Sequence, residues 1–146
     1  MYRILLFIIL NTIIFASTIH MSISSSPNRI NPLLATDSAS GEIAGWIFNG
    51  LVKFNKDAKI VGDLAKEWKF ENNTTLIFTL RDNVYWHDGV KFKADDVIFT
   101  YDLLKSNKIT TPYSSDFKEV KSVIKIDDYN IKVTYKSHIL KLYLYG

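Results

Sequence analysis

An α+β fold, in which β-hairpins are mixed with two amphipathic helices, is what this 146-residue sequence calls for. Short runs of alternating apolar residues are broken by clusters of Asn, Asp and Gly, the pattern of antiparallel hairpins. Two other runs repeat their apolar residues every three or four positions, as helices do. The chain is 47% apolar and 14% aromatic, with only 6 Gly and 3 Pro, so it has the material for a core and too little charge for disorder. At roughly 100–200 residues per domain, its length allows one ordinary domain or a piece of something larger, and excludes a multidomain enzyme.

The first sixteen residues read as an export leader. Arg3 precedes the apolar run Ile4 to Leu10, Asn11 to Phe15 follow, and small residues Ala16-Ser17-Thr18 close it. That order suits a cleaved signal peptide over 1–16, whereas a membrane span needs about 20 apolar residues. Next, Ile19, Met21 and Ile23 alternate with polar residues and predict a half-buried strand, and Ser24 to Pro32 is a loop of turn formers holding two prolines. Asp37 or Ser38 caps a first helix whose apolar side is Ile43, Ala44, Ile47, Phe48 and Leu51, with Gly50 at its end.

Strands follow. Leu51 to Phe54 and Lys59 to Val61 flank a turn at Asn55 to Ala58, giving a first hairpin. Asp63 to Glu67 reads as one helical turn. Trp68 to Phe70 and Thr75 to Leu80 form a second hairpin around Glu71-Asn72-Asn73. Ala94 to Lys105 is a second helix with Val97, Tyr101 and Leu104 on one face and Asp95 and Asp96 near its positive end. Val120 to Ile126 and Ile131 to Lys136 make a third hairpin around Asp127 to Asn130.

Little in the sequence points to catalysis. With no Cys there is no disulfide, thiol nucleophile, cysteine-ligated metal or lipid-modified cysteine. Lys and Arg number 18 against 15 Asp and Glu, a net charge of +3 spread along the chain, too thin for a nucleic-acid surface. His87-Asp88 suggests a base and its orienter, but neighbours in extended chain point opposite ways, and Asp88-Gly89 is more simply a turn that Trp86 anchors in the core. His20, His87 and His138 have no metal-ligand spacing. The three tryptophans, Trp46, Trp68 and Trp86, are expected in the core. Tyr113 is different, since it sits in a loop where nothing periodic buries it and its hydroxyl faces either a ligand or solvent.

Seven segments, taken in order, resemble a known family. They are Asn31 to Asp37, Ile47 to Val52, Asp63 to Trp68, Phe78 to Arg81, Val84-Tyr85-Trp86-His87-Asp88-Gly89, Phe92 to Val97 and Phe99 to Asp102. Their order and spacing are similar to the opening of the peptide- and nickel-type solute-binding proteins of ABC importers, family 5, over about Ile19 to Lys136. The resemblance implies a fragment of a type II periplasmic binding protein: the leader over 1–16, the first strand and loop of lobe I over 17–32, an extra domain packed on that lobe over 33–136, and a truncated tail over 137–146. It departs from the family in the tail and at Lys93, where a capping Thr is usual; that substitution is expected to cost the helix about 1 kcal/mol.

Function follows as what the resemblance implies. Family members enclose peptides, or nickel chelates and other small solutes, between two lobes and hand them to ABC importer permease subunits in the membrane. A periplasmic location follows, with no cofactor, no metal, no catalytic residue and no nucleic-acid partner. The matching positions for ligand contact are Thr36, Asp37, Ser38 and Tyr113, with helix capping the standing alternative for Asp37 and Ser38. The truncated chain is expected to be marginally stable and unable to form the full cleft. Two other readings stay open: a secreted β-rich interaction module, and a hydrolase built on His87 and Asp88.

Overall fold

The structure, a computed structural model, describes residues 20–106 and 108–137. The expected leader over 1–16, and the tail beyond Ser137, lie outside the described residues. Nine elements follow in chain order: α1 (Ser38–Ile47), β1 (Val52–Phe54), β2 (Ile60–Gly62), β3 (Ala65–Asn72), β4 (Thr75–Leu80), α2 (Ala94–Lys105), the 3-10 turn Pro112–Ser115, β5 (Val120–Asp127) and β6 (Asn130–Tyr135). β1 and β2 form a small hairpin, and the other strands form one antiparallel sheet in the order β3-β4-β6-β5. The three expected hairpins and the second helix are all present.

The sheet has one apolar face because its strands alternate in matching register. Trp68 faces Phe78 and Phe78 faces Ile131; one pleat on, Phe70, Leu76, Val133 and Val123 line up likewise. Leu76, Leu80 and Ile131 are among the most deeply buried side chains. Residues one position out of step make the solvated face, where the Thr79 hydroxyl donates to Asn130 Oδ1 (2.9 Å) and Lys132 pairs with Glu71 (2.9 Å). Such alternation is what an antiparallel sheet needs when only one side is covered.

The N-terminus of α2 is fastened to the β5–β6 turn. Lys93 has no acceptor to offer as a cap, but its own N–H donates to the Asp96 carboxylate (2.8 Å), and the Ala94 N–H donates to the Asp128 carbonyl (2.9 Å). Two of the first orphan donors are thus satisfied without the expected Thr. The side chains add to this: Lys93 reaches Asp128 (2.6 Å), and Lys125 bridges Asp128 and Asp95 (2.7 Å each). The ammonium of Lys125, then that of Lys93, hold the Asp128 carboxyl down to about 2, and the same contacts hold both lysines above their usual value.

Four expectations are corrected. Met21 and Ile23 lie in irregular chain, with Met21 exposed; alternation supplies a face, but a strand needs a hydrogen-bonded neighbour, and none pairs with it among the described residues. Asp63 to Glu67 is not a helical turn. The N–H groups of Asp63, Leu64 and Ala65 donate to the Leu51 and Gly50 carbonyls, and Ala65 already opens β3; a Cβ on Gly62 would collide with the Ala65 carbonyl, so this crossing needs glycine. α1 ends at Ile47, before Gly50, and buries its small residues Ala39, Ser40 and Ala44 rather than its large ones. Of the tryptophans, only Trp68 packs into the core: Trp46 is 52% exposed, and Trp86 is 46% exposed with its ring edge-on to Phe92.

The Asp128 contacts set a pH dependence. A carboxyl lowered by folding contributes stability that is full above its unfolded value, 3.8, and that is lost as pH falls towards the folded one. Asp128 is expected to titrate near 2 by carbonyl NMR. The variant Asp128→Asn is expected to show a shallower loss of stability between pH 4 and pH 2. Titration of Asp128 near 3.8 would contradict the network.

Candidate functional site

Two loops distant in sequence build a polar hollow. The first runs from Asn28 to the start of α1, where Asn31 folds it tightly: its carbonyl accepts from the Leu34 and Ala35 N–H groups, and its side chain accepts from Leu33 N–H. The second is Thr110 to Tyr113. Thr111 donates its hydroxyl to the Leu33 carbonyl (2.6 Å) and Tyr113 donates its own to the Ala35 carbonyl (2.6 Å), clipping the loops together across 78 residues of sequence. The resulting hollow, about 530 Å³, is lined by Asn28, Arg29, Leu34, Thr36, Asp37, Thr110, Thr111 and Pro112.

Each expected site residue has a definite place. Thr36 and Asp37 line the hollow. Asp37 is also the N-cap of α1: one carboxylate oxygen accepts from Ser40 N–H (2.8 Å) and the other from the Ser40 hydroxyl (2.7 Å). The Ser40 hydroxyl, and then its backbone N–H, hold the Asp37 carboxyl below its ordinary value. Ser38 is exposed on the first turn of α1, outside the lining. Tyr113 spends its hydroxyl on Ala35. The sequence reading did not single out Arg29, Asn28 or Thr110–Pro112. The Arg29 N–H donates to the Ser40 hydroxyl (3.0 Å), while its guanidinium has no partner among the described residues.

A second hollow, about 460 Å³, is apolar and lies over the core face of the sheet. Leu51 and Val52 border it on one side and Val97, Tyr101 and Leu104 of α2 on another, with Phe78, Ile131 and Val133 beneath. Trp68 packs its ring on Phe78 (6.4 Å between centroids), and its buried indole N–H has no acceptor among the described residues.

The His87-Asp88 pair is a turn. Asp88 accepts from the Val90 N–H (2.9 Å), Gly89 has φ +84° and donates to the Trp86 carbonyl, and His87 is exposed. The carboxylate is thus turned back on its own chain instead of orienting the imidazole. Among the described residues, no group of three or more His, Asp or Glu gathers to hold a metal ion.

The fold and part of the sequence are shared with known proteins. Residues 59–144 match the family described as bacterial extracellular solute-binding proteins, family 5 Middle, a match that runs past Lys136. The periplasmic murein peptide-binding protein MppA of Escherichia coli (strain K12) is 32% identical over 92 residues, which are 63% of this chain and 17% of MppA. NikZ from Campylobacter jejuni, solved in complex with Ni(L-His), superposes with a TM-score of 0.67 at 33% identity over 76% of this chain and 22% of its own. The oligopeptide-binding protein AppA from Bacillus subtilis, solved with a nonapeptide, superposes with a TM-score of 0.68 at 30% identity, over 73% and 21% respectively. The chain therefore spans about a fifth of the length of the relatives it matches.

The loop clip is open to direct test. Thr111→Val leaves the Leu33 carbonyl without its donor and is expected to cost about 1–3 kcal/mol, and Tyr113→Phe about 0.5–1.5 kcal/mol. Because both bonds hold the same pair of loops, urea unfolding of the double variant is expected to show less than the sum. Full additivity would mean that the two bonds act separately.

Proposed function

This chain belongs to the bacterial extracellular solute-binding proteins, family 5, and from that premise we propose that it forms part of the binding protein of an ABC importer, exported to the periplasm and taking peptides for uptake. The observation that carries the reading is the likeness, at 30% identity over 73% of the chain, to AppA in its complex with a nonapeptide; the name of MppA points the same way. Its role is to bind and present a solute to permease subunits, with no bond made or broken. The turn geometry at His87 and Asp88 favours this over hydrolysis.

The polar hollow is the proposed contact surface. Among the described residues, Thr36, Thr110 and the Arg29 guanidinium are uncommitted groups of its lining, the hydroxyls able to bond a peptide backbone and the guanidinium a carboxylate. Asp37 meets a peptide amino group only with oxygens already bonded to Ser40. Tyr113 acts through the loop it pins. Family members grip a ligand from two lobes, so one open wall binds weakly, with Kd of roughly 1 mM or above. A second reading, that the solute is a nickel chelate, is favoured by the likeness to NikZ holding Ni(L-His).

The test is an NMR titration of the 146-residue chain with tetra-alanine. Amide shifts are expected in residues 28–31, 33–37, 110 and 111, reduced several-fold in Arg29→Ala. Shifts confined to other surfaces, or none at 10 mM peptide, would overturn the assignment. Shifts in the same residues with Ni(L-His) but not with peptide would overturn it in favour of the chelate.

A further inference from the structure

We propose that the buried Ser40 sets which end of a solute the polar hollow takes, by engaging Asp37 and leaving Arg29 to receive a carboxylate. The inference rests on the reading of the hollow as a solute contact surface, and deepens it by naming the group that is read. Two charged residues line the hollow, Arg29 and Asp37. They attract opposite ends of a peptide, so the one left free decides the preference. A helix cap needs one acceptor oxygen, and Asp37 gives one to the Ser40 N–H (2.8 Å). Its other oxygen is taken as well, by the Ser40 hydroxyl (2.7 Å), a bond that capping does not require.

The same hydroxyl reaches the arginine. Ser40 is 0% exposed, and its oxygen accepts from the Arg29 N–H (3.0 Å), eleven residues away. One buried hydroxyl therefore holds the acid and fixes the backbone from which the guanidinium extends, while the guanidinium itself has no partner among the described residues. What the hollow still offers a solute is rich in donors. A guanidinium only donates, and the Thr36 and Thr110 hydroxyls donate as readily as they accept. A carboxylate, which only accepts, matches that set and can take two parallel bonds from the guanidinium. An ammonium, which only donates, finds the two hydroxyls and a carboxylate whose oxygens are both already bonded to Ser40. Ser40 is in this sense a positioning residue: it acts on the solute through Asp37 and Arg29.

The test follows amide shifts of residues 28–31, 33–37, 110 and 111 in the 146-residue chain. Acetyl-alanyl-alanine supplies a carboxylate without an ammonium, and alanyl-alanine amide the reverse. The parent is expected to bind the first several-fold more tightly, and Arg29→Gln to lose that preference. In Ser40→Ala the preference is expected to fall several-fold as Asp37 is released, and the double variant Ser40→Ala, Asp37→Asn to recover it. Equal binding of both peptides by the parent, or preference for the amide, overturns the inference and leaves the peptide reading standing. No shift with either at 10 mM overturns both. An equal loss for the two peptides in Ser40→Ala marks Ser40 as structural only and overturns its part. Asp37→Asn alone keeps a capping side chain and does not depend on how Ser40→Ala folds. It is expected to move the preference much less than Arg29→Gln; an equal or larger move would show that the Asp37 charge faces the solute, against the proposal. Acetyl-glutamyl amide, with its carboxylate on a side chain, separates the two sources: tighter binding of it or of acetyl-alanyl-alanine supports the inference and says which carboxylate is read.

Discussion

A four-stranded antiparallel sheet with a single apolar face sets the terms for everything else in this chain. Register decides which side chains share that face: once Trp68, Phe78 and Ile131 are opposite one another, a slip of one residue in any strand would turn its apolar set to water. The face must then be covered. α2 covers part of it with Val97, Tyr101 and Leu104, and Leu51 and Val52 approach from the other side. At ~25 cal/mol per Å² of apolar area removed from water, this burial outweighs any single polar contact described here.

Polar contacts have a different part, which is to fix where the covering elements sit. The β5–β6 turn receives the N-terminus of α2 through the Asp128 carbonyl and the lysines that meet its carboxylate. Thr111 and Tyr113 hold the loop before α1 to the loop before β5. α1 is attached differently. Its buried stripe of Ala39, Ser40 and Ala44 allows close approach of the backbone, and Ser40 ties Arg29 and Asp37 together. The polar hollow is therefore assembled by capping and loop bonds, and the core by the sheet.

Much of the fold was legible in the sequence. Alternation marked β4 and β6, and the turn residues between strands marked each hairpin; α2 was legible to both of its ends because its apolar face and its acidic first turn agree. What misled was local pattern without its tertiary partner. Ile47 and Phe48 read as a helix's buried side yet are exposed, since small residues make the contact there. Asp63 and Leu64 read as helical, though their N–H groups belong to the Leu51 and Gly50 carbonyls. The site was half legible. Asp37 carries a cap signature that any sequence shows, whereas the meeting of Thr36 with Thr110 and Thr111 depends on two bonds spanning 78 residues, which no local spacing records.

The central claim is that the apolar sheet face is the cooperative core and that α1 with its loops is fastened on afterwards. Hydrogen exchange of backbone amides tests this most directly. The account expects the slowest exchange in the middle of β4 and β6, around Leu76, Phe78, Ile131 and Val133, with α1 amides opening at distinctly lower free energy. Equal protection across α1 and the sheet, or rapid exchange in β4 and β6, would contradict it.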